Sequence, residues 1–177
     1  MTNGQVWPKP VFQHNFDEYL TVEPENFRFN VTGYSCDDLY DAFKRYNHIL
    51  FLKARKTFKH DTHLSTNFTF DEIKINNFYG YLLASSIWGI LRGLETFSQL
   101  VHLKTDGSTF VLQCTSIVDY PKFRHRGFLL DTSRHYLPVQ TIIKTLDAMS
   151  YSKMNVFHWH MVDDNSFPFQ SSVFPNL

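Results

Sequence analysis

Apolar and polar positions alternate at residues 19–22 and again at 27–31. Glu23-Pro24-Glu25-Asn26 between them is turn chemistry, so the pattern predicts a hairpin. Ser35 then reads as a helix N-cap, with Asp37 and Asp38 in a first turn where the helix dipole favours negative charge. Leu39, Phe43, Tyr46 and Leu50 follow at helical spacing, carrying the helix to about Leu52. Residues 53–63 are polar and basic without period and read as loop. Alternation resumes over 68–75 as a strand, and 81–102 reads as a second helix. Its predicted apolar stripe is Ile87, Trp88, Leu91, Leu94 and Leu100, with Arg92, Glu95 and Gln99 off it. Gly89 and Gly93, four apart, predict close packing of that helix on a sheet. Asp106-Gly107 is a turn, and two strands are expected at 109–112 and 115–118.

The pattern changes after Tyr120-Pro121. Gly127-Phe-Leu-Leu is a short continuous apolar run, as in a strand buried on both faces. Pro138 suits a helix N1 position, and Ile142, Ile143, Leu146 and Met149 predict a helix to about Ser152 with a full apolar face. Residues 155–162 form the next strand. Strand, helix and strand within about 36 residues make a βαβ unit, which implies a parallel pair. The chain therefore reads as an α+β domain over 1–120 followed by a second unit over 121–177.

Lys+Arg and Asp+Glu both number 17, so the basic surface that nucleic-acid binding requires is missing. The uncharged stretch from Ile75 to Leu91 falls short of a membrane span and reads as a buried helix. Aromatics reach 17%, which implies either a dense core or surfaces that pack on something else. Two cysteines are too few for a disulfide scaffold. Asn30-Val31-Thr32 and Asn67-Phe68-Thr69 are glycosylation acceptors, whereas no signal peptide is read at the start; an incomplete N-terminus would reconcile the two.

In parallel α/β folds functional residues gather at the carboxyl ends of strands. Asp131, Arg134 and His135 follow the first strand of the βαβ unit, and Asp163 and Asp164 follow the second. Arginine offers fixed donors suited to carboxylates or vicinal hydroxyls, so Arg134 with Asp163 suits a small hydroxyl-rich ligand. A structural ion pair closing the rim accounts for the same residues equally well. His158 and His160 share one strand face and with a carboxylate could ligate zinc or iron. No third ligand of matching spacing lies nearby, so hydrogen-bonded core histidines are expected, with no metal and no cofactor. Neither a G-x-S-x-G nucleophile pattern nor a Gly-rich phosphate loop is present.

Two long segments carry a resemblance. They are His125-Arg-Gly-Phe-Leu-Leu-Asp-Thr-Ser-Arg-His-Tyr-Leu-Pro138 and Leu146-Asp-Ala-Met-Ser-Tyr-Ser-Lys-Met-Asn-Val-Phe-His-Trp-His-Met-Val-Asp-Asp164. Trp88-Gly-Ile-Leu-Arg-Gly-Leu-Glu-Thr-Phe-Ser-Gln-Leu100 and Asp41-Ala-Phe-Lys-Arg-Tyr46 add to them. From about Trp7 onward the chain resembles the β-N-acetylhexosaminidases of glycoside hydrolase family 20, nearest the animal lysosomal type with alpha and beta subunits. The resemblance implies an α+β N-terminal domain and then the opening of a (β/α)₈ TIM barrel. It implies hydrolysis of terminal N-acetylhexosamines from glycans or glycolipids, by a retaining mechanism in which the substrate's own acetamide attacks. It implies that Arg134 bonds ring hydroxyls of the sugar, that Asp163 belongs to the network around the acid, and that His160 is a candidate supporter. It also implies lysosomal localisation and association with another hexosaminidase subunit.

The departures are specific. The family's catalytic Asp-Glu pair lies on a later barrel strand, so these 177 residues are expected to be inactive alone, or to act as a non-catalytic form that binds a full-length subunit or a glycan. A strand that the family carries near 53–65 is not read here, nor is the cysteine on it that would pair at the position of Cys36. Cys114 stands where the family has no half-cystine, so a Cys36–Cys114 bridge is not expected.

Overall fold

The computed structural model describes residues 5–52, 72–75, 80–105 and 107–176, with backbone only for 72–75. Asn67, the 53–65 gap and the first part of the 68–75 strand lie outside the described residues. The chain divides into two compact units, Met1–Tyr120 and Pro121–Leu177.

In the first unit the elements run β1 (Phe12–Val22), α1 (Asp37–Phe51), β2 (Glu72–Ile75), β3 (Gly80–Leu83), α2 (Ile87–Leu100), β4 (His102–Leu103) and β5 (Phe110–Val118). They form an antiparallel sheet of order β1-β5-β2-β3, with β4 also paired to β5. Strand β5 is the organising element, because β1, β2 and β4 all pair with it. It is continuous where the sequence suggested two strands. Its polar centre, Gln113 to Thr115, sits opposite the irregularity of β1 between Asn15 and Tyr19. Polar groups meet there: Gln113 Nε2 donates to Phe16 O at 2.8 Å, and Thr115 Oγ1 lies 2.8 Å from Asn15 Oδ1.

The hairpin expected at 19–31 does not form. The turn at Glu23 exists, with Asn26 and Phe27 amides bonding to Glu23 O, but β1 finds its ladder in β5. The alternating Phe27, Phe29 and Val31 instead act as plugs between the helices. Phe27 meets Phe29, Phe51 and Phe97 at ring-centroid distances of 5.0–5.8 Å, and Phe29 stacks on Phe43 at 5.0 Å. Much of the aromatic excess of this unit is therefore dense core.

Helix α1 begins one residue later than expected. Cys36 is the N-cap, with no side-chain bond, while Asp37 and Asp38 occupy the first turn. The second helix is shorter than the apolar run suggested. Gly80–Leu83 is a strand that pairs with β2, and Ser86 caps α2 by accepting from Gly89 N at 3.1 Å. Only Ala84-Ser85-Ser86 separates strand from helix, too short a polar break to interrupt the apolar run on either side. The buried face of α2 is Ile90, Leu94, Glu95, Thr96 and Leu100, and Trp88 is exposed. Gly93 does mark a close approach: a Cβ there would sit 2.8 Å from Leu82 Cδ2 of β3.

Glu95 is the largest departure from the expected stripe, buried at 5% exposure. It is satisfied by Tyr46 Oη, which donates to Oε2 at 2.9 Å, and by Gln99 Nε2, which donates to Oε1 at 2.9 Å. Gln99 also bonds both the amide and the carbonyl of Trp7. One chain of hydrogen bonds, buried at Tyr46–Glu95 and exposed at Gln99–Trp7, thus ties α1, α2 and the N-terminal segment. Burial and the neighbouring Glu95 carboxylate push the Tyr46 phenol well above the ordinary tyrosine range. Cys36 and Cys114 are not joined in a disulfide, and burial raises the Cys114 pKa.

In the second unit, β6 (Gly127–Asp131), α3 (Val139–Tyr151) and β7 (Val156–His160) form the expected βαβ arrangement. Strands β6 and β7 are parallel, with Gly127 opposite Val156 and Asp131 opposite His160. Pro138 is the N-cap rather than N1, its ψ of 147° being extended. Two details differ from the sequence reading. Phe128 and Leu129 of β6 are exposed rather than buried on both faces. On α3, Ile142 and Met149 are buried while Ile143 and Leu146 stay exposed, so its apolar face is only partly covered.

Candidate functional site at the tips of the parallel strands

Parallel pairing brings the carboxyl ends of β6 and β7 side by side, and the segments leaving them carry the charged residues. Asp131 closes β6. Its Oδ1 accepts from the amides of Ser133 at 3.0 Å and Arg134 at 3.2 Å, which folds the chain back at the strand end. That turn delivers the Arg134 guanidinium to Asp131 Oδ2, which accepts from Nε at 2.6 Å and also from Nη2. The third nitrogen, Nη1, lies 3.3 Å from Asp163 Oδ2 beyond β7. Arg134 therefore bridges the two tips, anchored on one carboxylate and presented to the other.

Asp163 has two further partners. Its Oδ1 accepts from the Asp164 amide at 2.8 Å, and its Oδ2 lies 3.1 Å from His160 Nε2. An ionised carboxylate only accepts, so His160 carries its proton on Nε2. The Arg134 hydrogen bonds hold the Asp131 carboxyl down at about 2. Asp163 is lowered by its bonds with Asp164 and His160 and by the Arg134 charge, and Arg134 is raised by Asp131. These shifts all favour one state: two carboxylates and a guanidinium, all charged. The guanidinium is 50% exposed and Asp163 20%, so the pair is open to a ligand from solvent.

The chemistry of such a pair is defined. A hydroxyl can donate to Asp163 and accept from Arg134 at once, which neither residue achieves alone. His158 and His160 lie with ring centroids 6.5 Å apart, and among the described residues no three His, Cys, Asp or Glu side chains group as a metal site. His135 and Asp164 are exposed, and Asp164 adds a side-chain hydrogen bond to Asp163. Four residues not expected from sequence also meet here. Trp159 Nε1 donates to Thr132 Oγ1 at 2.8 Å, and Ser133 and Ser166 bond each other's backbone. No motif marks them; only the parallel register makes them neighbours.

The sequence model of the glycosyl hydrolase family 20 catalytic domain matches residues 123–177. The chain is also 40% identical over 203 residues to the beta-hexosaminidase subunit alpha of Bos taurus, covering 97% of this chain and 38% of that protein. Residues 123–177 thus match the catalytic domain of glycosyl hydrolase family 20, and the chain as a whole is similar to beta-hexosaminidase subunits. It is likewise 40% identical over 200 residues to the Homo sapiens beta-hexosaminidase subunit beta, covering 97% of this chain and 36% of that one. The chain thus spans little more than a third of the length of these relatives. Among solved structures it superimposes on the Flavobacterium johnsoniae chitobiase with a TM-score of 0.83 at 27% identity, over 98% of this chain and 29% of that one. The Vibrio harveyi GH20 exo-β-N-acetylglucosaminidase in complex with N-acetylglucosamine gives 0.76 at 24% identity, over 99% and 28%, and shows the shared fold. No helix among the described residues is long and apolar enough to cross a membrane.

Proposed function

We propose that the chain is the N-terminal part of a β-N-acetylhexosaminidase, which removes terminal non-reducing N-acetylhexosamines from glycans and glycolipids. In this reading residues 1–120 form the α+β domain and 121–177 the first βαβ unit of a (β/α)₈ barrel. The strand tips form one wall of the sugar pocket. Arg134 donates to ring hydroxyls of the terminal sugar, Asp163 accepts from them, and His160 holds Asp163 in place. Asp131 keeps the guanidinium plane fixed, so binding a sugar requires no reordering of the arginine.

The observation that carries the reading is the Arg134–Asp163 approach of 3.3 Å at the mouth of two parallel strands. Lysosomal residence and pairing with a second hexosaminidase subunit are supported by the kinship with animal subunits, and glycosylation at Asn30 and Asn67 by their acceptor tripeptides. The reaction is substrate-assisted, the acetamide oxygen attacking the anomeric carbon while an aspartate–glutamate pair on a later strand orients it and protonates the leaving oxygen. Residues 1–177 alone do not carry that pair, so the acid step is lost, a contribution on the order of 10²–10⁴ in rate. The purified 177-residue chain should give no measurable hydrolysis of a chromogenic β-N-acetylglucosaminide. Turnover that persists through repurification, and that Arg134→Ala removes, would overturn the assignment of catalysis to the later strand.

A further inference from the structure

The Arg134–Asp163 pair joins segments that leave two different strands, so its geometry depends on whatever holds those segments together. Backbone pairing continues only briefly past the tips: the Thr132 amide bonds to His160 O at 2.9 Å, the last rung between the strands. Beyond it, Ser133 Oγ donates to Ser166 O at 2.7 Å, and Ser166 Oγ donates back to Ser133 O. Ser166 in turn forms a closed two-bond bridge with Asp163, Asp163 N to Ser166 O at 2.8 Å and Ser166 N to Asp163 O at 3.2 Å. Ser133 lies between Asp131 and Arg134 in sequence and is only 6% exposed. Two reciprocal side-chain bonds therefore connect the residue beside Arg134 to the residue whose backbone fixes Asp163.

We propose that Ser133 and Ser166 are positioning residues for the sugar site, forming a clasp that sets the separation of Arg134 from Asp163. The proposal rests on the sugar-site reading above. A clasp of two neutral hydroxyls suits the place. It ties the segments without adding a charge that would compete with the sugar for Arg134 or Asp163. Each serine uses its side chain and its carbonyl on the same partner, so removing either hydroxyl leaves a single side-chain bond. Thr132, pinned by Trp159 Nε1 at 2.8 Å, fixes the start of the same segment independently. Loss of the clasp should therefore loosen the 133–134 side without detaching the strand.

The test uses the whole ¹⁵N-labelled chain, its Ser133→Ala, Ser166→Ala and Ser166→Thr forms, and N-acetylglucosamine as probe. Two quantities are read by NMR: hydrogen exchange of the Arg134 Nε–H and the Kd for the sugar. Both alanine variants should speed Arg134 Nε–H exchange and weaken sugar binding by about five-fold or more, the loss expected for one neutral hydrogen bond. Ser166→Thr, which keeps the hydroxyl, should restore both, while amide signals of the first unit stay unmoved. Unchanged Nε–H exchange in both alanine variants would overturn the clasp, whatever the sugar does. Absence of sugar binding by the unaltered chain would instead overturn the sugar-site reading, and the exchange rates would still decide the clasp. If Ser133→Ala unfolds the second unit, the half-buried Ser166→Ala decides alone.

Discussion

Replacing Tyr46 by Phe isolates the buried polar chain of the first unit. The ring is 2% exposed and packs among Val31, Leu39, Ala42, Ala84, Ile90 and Leu94, so phenylalanine keeps the apolar contacts. What disappears is the hydroxyl that donates 2.9 Å to the buried Glu95 carboxylate. A hydrogen bond to a charged group contributes roughly 1.5–3 kcal/mol, and a buried acceptor left short of a donor costs a similar amount. Tyr46→Phe should therefore destabilise the first unit by about 2 kcal/mol, read as a lower urea midpoint at unchanged slope. Tyr46→Phe combined with Glu95→Gln should cost less than the sum of the two, with a coupling of about 1 kcal/mol or more. The same contact predicts an alkaline signature. The phenol's folded-state pKa is raised, so its contribution is intact below the ordinary tyrosine pKa and is lost as pH climbs above it. By tyrosinate absorbance the native protein should show a late-titrating component that Tyr46→Phe diminishes. A change within about 0.5 kcal/mol, with additive cycles, would refute the claim that this bond is buried and used.

Other consequences can be checked separately. Gly93→Val should lower stability by about 1–3 kcal/mol, because even a Cβ at that position overlaps Leu82; a neutral result would mean α2 does not pack on β3 as described. Acid should loosen the strand tips. Asp131 is held at about 2 against an ordinary 3.8, so its stabilisation is complete above the ordinary value and lost as pH falls towards 2. Asp131→Asn should flatten that slope in near-ultraviolet dichroism, and an unchanged slope would contradict the assignment. Arg134→Lys should weaken N-acetylglucosamine binding by about ten-fold while leaving the fold in place, since a point charge cannot hold Asp131 and reach Asp163 together; equal binding would show that the fork is not used.

How much of this could be read in advance depended on the kind of constraint. The βαβ unit was legible because a continuous apolar run, a proline and a helical period each carry their own signature. The meeting of Arg134 with Asp163 followed from parallel register, since residues just past adjacent strand ends must be neighbours. Segment 27–31 and the start of 81–102 depart from expectation for one reason: apolar alternation or periodicity reports burial, and burial does not require a ladder or a helix. Phe27 and Phe29 are half-buried against the core without pairing, and Tyr81 and Leu82 are apolar within a strand. Glu95 escaped because a single carboxylate on a helix reads as solvent-facing unless its partners, 49 residues away in the case of Tyr46, are known. The Ser133–Ser166 contact escaped likewise, since serines carry no pattern and their meeting exists only in three dimensions.

The central claim, that the tips of β6 and β7 bind a terminal amino sugar, is tested most directly by titrating the labelled chain with N-acetylglucosamine. The account predicts saturable shifts confined to Asp131–Arg134 and His160–Ser166, abolished by Arg134→Ala while the remaining spectrum stays native. Shifts elsewhere, or binding that survives Arg134→Ala, would contradict it.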